Sequence, residues 1–435
     1  MIFAKTWSKI ENLTIASVSN AIFSNNVCNL GIHEYRGELY TAGYVGITRL
    51  VDRFGRVLKD NNDDDIVICV TQDYNVDSFD MLSAVMSDDE YFIYCESLER
   101  DKKELFTIFD NQPLIETITN GTSGELLICA TFIKHCSNVC KKQLKSQMLT
   151  NRENMYSKVK GKIDLKNHIK YNVFKGREDR IYCKYSRFTY DIIENQILKC
   201  ALVKAESIIR KSYPRAYEIL KRDINYCKNN FRYISEKQIV LSDFSRVKVN
   251  GMYSFYKPAI KSAKILLKDG GLELAFGDNG HINYIVPYAI NMEALFEFFI
   301  RSKMKSFYKD DESISIVKYN KKYRFLTDEN VNTHLMKNYI PDVVIKKDGN
   351  IVMVLDVKYK RRLQRDRYDS HQIMSYALLT NVAKCGFVFP NESGNAGLRY
   401  SGEVNIMNSD RRVMYYEYET SIGDEFILQL HDLLE

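Results

Sequence analysis

The 435-residue chain has only six prolines, no CxxC pair, no GxxxxGK[ST] phosphate loop and no run of eighteen or more apolar residues. Without a long apolar run there is no membrane-spanning helix to expect. The N-terminal "MIFAKTWSKIENLT" also lacks the charged, apolar and small-residue succession of a secretory signal, so the expected location is cytoplasmic, with no membrane partner. Ten cysteines are scattered mainly through apolar runs, a distribution that suits reduced core thiols better than a disulfide framework. The nearest approach to a metal site is "HCSNVC", His135 to Cys140. Its two cysteines lie four apart on an expected helix and no second ligand pair follows, so core packing is the expectation there. The missing phosphate loop excludes nucleotide hydrolysis of the P-loop kind. Repeats and low-complexity tracts are absent too, so domain boundaries must be read from changes of pattern.

What is present describes a globular chain: 45% hydrophobic and 27% charged residues, at a length that accommodates two or three cores. The net charge of +6, from 62 basic and 56 acidic residues, permits a nucleic-acid partner without demanding one. The densest basic run is "KYKRRLQRDR", residues 358–367. A charge block of this kind is ordinarily a solvated loop, but this one follows directly on the segment that carries the chemistry.

Residues 1–115 read as a β-rich N-terminal domain, with short runs such as "ELYTAGYVGITRLVD", "DIVICVTQ" and "YFIYCES" between polar turns. Residues 116–283 change period and read as a mainly helical middle region. In "SRFTYDIIENQILKCALVKAESIIRKSY", Phe188, Ile192, Leu198, Ala201, Leu202, Ala205 and Ile209 form one stripe. Residues 284–435 begin with a helix, "NMEALFEFFIRSKMKSF", that has Asn291 as its N-cap. A strand hairpin, a helix from about Ser370 to Thr380, the strands "CGFVFP", "GEVNIMN" and "RVMYYEYE", and a closing helix follow. The whole is a multidomain α+β chain whose last part is an α/β domain with a mixed central sheet.

The hairpin "PDVVIKKDGNIVMVLDVKYK", residues 341–360, holds Asp342, Asp356 and Lys358 inside apolar runs. Alternation along a strand points Asp356 and Lys358 the same way. A two-residue Asp348-Gly349 turn sets Asp342 on the other face, whereas a three-residue Asp348-Gly349-Asn350 turn sets it across from Asp356, so the latter turn is expected. Opposed carboxylates on neighbouring strands have β-carbons about 5 Å apart and repel each other unless a cation lies between them. Hard oxygen ligands suit Mg²⁺ (or Mn²⁺), and a nearby lysine can orient or deprotonate a water or neutralise charge on a phosphate. These parts suit metal-assisted phosphodiester hydrolysis. Taken singly, "PD" fits a turn before a strand and "DVK" an edge strand. Two further elements add weight. Glu297 faces the apolar stripe of its helix, a costly place without a positive partner, although a helix-edge glutamate can also reach water. Gln372 and Tyr376 lie four apart on one helical face, able to reach a DNA backbone or to hold the lysine strand. His371 lies on another face and is left unassigned.

Glu297, Pro341-Asp342, Asp356-x-Lys358 and Gln372-x-x-x-Tyr376 in this order resemble the PD-(D/E)xK nuclease superfamily, in the branch with an added QxxxY motif. More narrowly, "NMEALFEFF", "PDVVI", "LDVKYK", "HQIMSYA" and "GFVFP", with "AGYVGITRL", "KGKIDL" and "FTYDIIENQILKCAL" upstream, look like McrC, the nuclease-subunit family of McrBC modification-dependent restriction systems. The resemblance implies Asp342, Asp356 and Glu297 as metal ligands, Lys358 as the catalytic lysine, and Gln372, Tyr376, Lys360, Arg361 and Arg362 as supporting or DNA-binding residues. It implies an antiphage endonuclease subunit that acts on DNA with a hexameric AAA+ NTPase partner, McrB-like and GTP-hydrolysing, which the 1–115 domain would dock and whose hydrolysis it would stimulate. Two alternatives remain: a regulatory adaptor of such a ring with little nuclease activity, and a stand-alone DNA repair nuclease. The first would keep partner binding without cleavage, and the second would cut without any NTPase.

Overall fold

The computed structural model describes the chain except residues 12–28, 53, 73, 75–77, 89–104, 110–111, 114, 118–122, 268–282, 318–322, 325–337, 361–366, 392–396, 406–411, 421–424 and 435. The expected strand "YFIYCES" lies outside the described residues. The chain divides into two compact units, one made of Met1–Thr117 with Tyr284–Glu435 and the other of Ile118–Asn283.

The first unit contains a five-stranded sheet ordered Ile2–Lys5, Val67–Thr71, Tyr44–Arg49, Tyr288–Asn291, Phe106–Ile108. Tyr288–Asn291 comes from the far end of the sequence and sits inside this sheet, antiparallel to both of its neighbours. All four of its residues are buried. The close approach explains a glycine in "AGYVGITRL": a Cβ on Gly46 would stand 2.1 Å from the Tyr288 carbonyl oxygen. The 1–115 segment, expected as a domain of its own, thus shares a sheet with the segment after residue 284. It also contains a helix, Ser78–Ser87, that its β-rich composition did not announce; this helix packs against Met292–Phe307.

Asn291 ends the inserted strand and caps the helix Met292–Phe307, its side chain accepting a hydrogen bond from Ala294 N–H at 3.1 Å, as the sequence leads one to expect. After the helix comes a six-stranded mixed sheet, ordered Ile314–Ile316, Val343–Lys347, Asn350–Val357, Lys384–Pro390, Arg412–Thr420, Gly397–Asn405. The third, fourth and fifth of these are parallel, Asn350–Val357 to Lys384–Pro390 and that strand to Arg412–Thr420. The helix Arg367–Thr380 makes the crossover between the first parallel pair. Its Ile373, Tyr376 and Ala377 pack on Val344, Val354, Cys385, Phe387 and Phe389, all buried. The closing helix Glu425–Leu434 packs on the last two strands of the sheet.

The second unit brings together the helices Ser123–Lys142, Ile193–Ser212, Pro214–Asn230 and Lys257–Leu267. The mainly helical character matches the expectation, but the unit also contains strands. Gln147–Tyr156 and Arg180–Thr189 form a ten-residue antiparallel ladder, joined by Lys162–Ile163. Phe188 belongs to that ladder and is 70% exposed, whereas Ile192, Leu198, Ala201, Leu202, Ala205 and Ile209 are buried. The apolar stripe therefore begins at Ile192. Most residues of the Gln147–Tyr156 strand are exposed, and a strand that turns no consistent face to a core carries no clean period-two signal.

Candidate functional site

The hairpin places its carboxylates together by a route other than the expected one. The turn is the two-residue Asp348-Gly349 type, both residues left-handed at φ 50° and 82°, with Lys347 paired to Asn350. A β-bulge then intervenes: Lys346 pairs with Ile351 but Ile345 pairs with Met353, which leaves Val352 as the extra residue. From there the register runs Val344 to Val354 and Val343 to Leu355. Asp342, the next residue, comes to the end of the hairpin beside Asp356. Its Oδ2 accepts a hydrogen bond from Val357 N–H at 2.8 Å. The register at the site end is the expected one, while the expected three-residue turn is replaced by a tighter turn plus a bulge.

Asp356 lies on the central strand, in register with Phe387 of the parallel neighbour, and is 0% exposed. Lys358 Nζ stands 2.9 Å from its Oδ2. That charge-assisted contact is the one the buried carboxylate has, and no backbone N–H or neutral side chain donates to either Asp356 oxygen. Burial, and then the Asp342 charge, push the Asp356 carboxyl well above its ordinary value. Asp342 keeps some accessible surface but sits under enough protein for lost hydration to dominate. That loss, with the Glu297 charge next, pushes it up to about 7. Glu297, half-buried on Met292–Phe307, is therefore part of the same electrostatic cluster.

Lys358 is held from several sides. Its ammonium donates to Gln372 Oε1 at 3.3 Å; Gln372 Nε2 donates to the Tyr376 hydroxyl at 2.8 Å; that hydroxyl donates to the Ile340 carbonyl at 3.4 Å, two residues before Asp342. The Tyr376 ring stacks on Tyr339, centroids 5.8 Å apart. Gln372 and Tyr376 thus hold the lysine, one of the two roles open to them in the sequence. Burial pulls the Lys358 amine down, yet the summed attraction of Asp356, Asp342 and Asp369 outweighs it and raises the pKa.

Asp369 beside Lys358, and a buried arginine on the Glu297 helix, were missed in the sequence. Asp369, in the first turn of Arg367–Thr380 and 7% exposed, lies 3.7 Å from Lys358 Nζ and forms an ion pair with Lys360. Lys360, expected to face DNA, therefore has a partner within the protein. Arg301 is fully buried and four residues beyond Glu297, on the same helical face. The spacing to Glu297 was a signal for Arg301, whereas nothing local marked Asp369. Arg361 and Arg362 lie outside the described residues. Tyr359, next to Lys358, is buried between Phe296 and Tyr74, with centroids 5.7 and 5.0 Å away, and its carbonyl accepts a hydrogen bond from the Trp7 indole N–H at 2.9 Å.

The donor set can be tested against a cation. A carboxylate buried to 0% exposure that meets only the Lys358 ammonium, beside a second carboxylate that raises its pKa, is costly unless further positive charge completes it. The ammonium offsets that cost in part. The oxygen ligands offered by Asp342, Asp356 and Glu297 are of the hard type that Mg²⁺ or Mn²⁺ prefers, so the residues present fit such an ion.

A mixed sheet with a carboxylate–lysine cluster at the end of its hairpin defines an α/β protein with a charged, partly buried site. A family model described as McrBC 5-methylcytosine restriction system component matches residues 114–390. That span is more than half of the chain, and the chain belongs to this family. Two solved structures from Thermococcus gammatolerans are similar. The half-complex of a tetradecameric assembly of McrB AAA+ hexamers with bound McrC contains a chain 12% identical, matched over 99% of each chain with a TM-score of 0.45. A chain of the McrBC complex solved by cryo-electron microscopy is 11% identical over 69% of this chain and 86% of that one, with a TM-score of 0.32. No curated protein matches the chain by sequence. Among the described residues no helix is long and apolar enough to cross a membrane.

Proposed function

We propose that this chain is the Mg²⁺-dependent endodeoxyribonuclease subunit of an McrBC-type restriction complex, of the PD-(D/E)xK kind, and that it works with an AAA+ NTPase ring whose hydrolysis it stimulates. The observation that carries the reading is the clustering of Asp342, Asp356 and Glu297 with Lys358, the Asp356 carboxylate being buried and met by that ammonium alone. Asp342, Asp356 and Glu297 would hold the cation. When bound, it supplies Lewis-acid polarisation of a phosphoryl oxygen and lowers the pKa of a bound water. Lys358, kept protonated by its carboxylate neighbours, serves as a fixed positive charge for a scissile phosphate and for the charge that develops there. Gln372 and Tyr376 hold that ammonium in place through the chain of hydrogen bonds that ends on the Ile340 carbonyl. The partner is supported by the family and by the AAA+ hexamers with which the similar Thermococcus gammatolerans chain is bound.

The test is Asp356→Ala in the reconstituted complex. DNA cleavage is expected to fall by roughly a hundredfold or more, in line with removal of a principal electrostatic element, while ring binding and stimulated NTP hydrolysis persist. Undiminished cleavage by the variant would overturn the assignment. Efficient cutting by the wild-type chain with no NTPase present would instead indicate a stand-alone nuclease.

A further inference from the structure

The second unit contains a cluster unrelated to the carboxylate site. Cys136 and Cys140 lie one turn apart on a single face of Ser123–Lys142, and Cys227 reaches them from Pro214–Asn230. Their three sulfur atoms lie within 4.8 Å of one another and all three side chains are buried. Among the described cysteines Cys69, Cys129, Cys183, Cys200 and Cys385 stand outside this cluster. We propose that Cys136, Cys140 and Cys227 form a three-thiolate site for a thiophilic d¹⁰ metal ion, Zn²⁺ or Cu⁺, that ties the two helices together.

The geometry is close to what such an ion needs. Zn–S bonds of 2.3 Å put tetrahedral sulfur atoms about 3.8 Å apart, so each sulfur has to move inward by less than about 1 Å, within reach of rotation about its Cα–Cβ bond. Sulfur donors select Cu⁺ and Zn²⁺ over Mg²⁺ and Ca²⁺. Three thiolates can complete Cu⁺, while Zn²⁺ takes a fourth ligand. His135 is next in sequence to Cys136, but as its neighbour on a helix it points about 100° away, and it is outside the sulfur cluster. The thiols already interact. Cys140 is drawn below its ordinary pKa by the thiol hydrogen bonds of Cys136 and then Cys227, against the effect of burial. Cys136 is pushed up, chiefly by burial. Asp223, one turn before Cys227, does not leave an unbalanced charge beside the site, for it pairs with Lys134 at 2.6 Å and accepts a hydrogen bond from the Ser137 hydroxyl at 2.8 Å. Metal binding displaces the thiol protons to solvent, so affinity should rise with pH.

The experiment uses the tag-free full chain, reduced, stripped with chelator and titrated separately with Zn²⁺, with Cu⁺, and with Co²⁺ as an optical stand-in for Zn²⁺. One equivalent per chain is expected to survive gel filtration, with a near-ultraviolet thiolate-to-metal charge-transfer band for Cu⁺ or Co²⁺ that an oxygen-ligand site cannot produce. Competition with chromophoric chelators decides which of the two ions binds more tightly. The unfolding temperature should rise by roughly 5 °C on loading. Cys227→Ser should lose the band and the shift, and Cys200→Ser should keep both. Should Cys227→Ser not fold, the wild-type titration decides alone. Absence of a charge-transfer band with both ions, or a loss of two free thiols to a disulfide with no metal retained, overturns the proposal.

Discussion

Asp342 and Asp356 are placed where the folded chain disfavours their charge, and this has a signed consequence for pH. The Asp342 carboxyl is pushed up to about 7, by burial first and by Glu297 second, whereas in an unfolded chain it lies near 4. The folded state therefore binds the proton more tightly. Its contribution to stability is complete below about pH 4 and is lost as pH rises through about 7. In EDTA the melting temperature should fall across that interval; Mg²⁺ should oppose the fall, and Asp342→Asn should make it shallower. An unchanged slope in the variant would show that the carboxyl is not perturbed. A second expectation concerns Asp369, which grips Lys358 and Lys360 without belonging to the carboxylate cluster. Asp369→Asn should lower kcat about tenfold and stability by about 1–3 kcal/mol, leaving the Mg²⁺ dependence nearly unchanged. A comparable loss of Mg²⁺ affinity in a titration would make it a ligand instead. Asp356 with Lys358, and Gln372 with Tyr376, were legible because strand alternation and helical spacing put each pair on a common face, whereas Asp342 was placed by the demand of the chemistry for a second carboxylate. Asp369 was not, since its partners come from the strand before it and a helical carboxylate next to basic residues looks like any solvated pair. Cys227 was invisible for a similar reason: it lies far along the chain from Cys136 and Cys140, and a lone cysteine has no spacing to betray it.

The hairpin shows how an element can reach the anticipated register through different parts. The chemistry required Asp342 and Asp356 to share an end of the hairpin, and a three-residue turn was the expected way to arrange it. The chain uses the Asp348-Gly349 turn, with both residues left-handed, and corrects the register with the bulge at Val352. Bulges leave little mark on sequence because the extra residue is an ordinary apolar one. The turn is testable on its own. Gly349 has φ 82° and open space where a Cβ would go, so Gly349→Val should cost about 1–2 kcal/mol from backbone conformation alone. Chemical denaturation should show that loss with Mg²⁺ affinity preserved; a matching loss of affinity would mean that the turn, and not the bulge, sets the site register. The first and last helices of the C-terminal part were legible almost to the residue, Asn291 included, while the one expected from about Ser370 begins three residues earlier, at Arg367. The ladder Gln147–Tyr156 with Arg180–Thr189 was not, because residues exposed along a strand follow neither a helical nor an alternating pattern.

At the scale of the molecule, the strand Tyr288–Asn291 joins the two ends of the sequence into one unit, while residues 118–283 form a body of their own. Composition shifts located the inner segment closely, but no local pattern could show that a strand near residue 290 lies between two strands contributed by the first 110 residues. A fragment of residues 118–283 is accordingly expected to unfold cooperatively by itself, with a single calorimetric transition. A fragment of residues 284–435 would expose both edges of its first strand, and should be insoluble or lack a cooperative transition. A sharp melt from the latter would contradict the shared sheet. The same unit contains the one tryptophan in the chain, Trp7, hydrogen-bonded to the peptide carbonyl that follows Lys358. A single indole at that place is a built-in fluorophore: its emission reports on the stretch of chain beside Lys358, so binding of the proposed cation or of DNA should register as a change in intrinsic fluorescence with no dye attached.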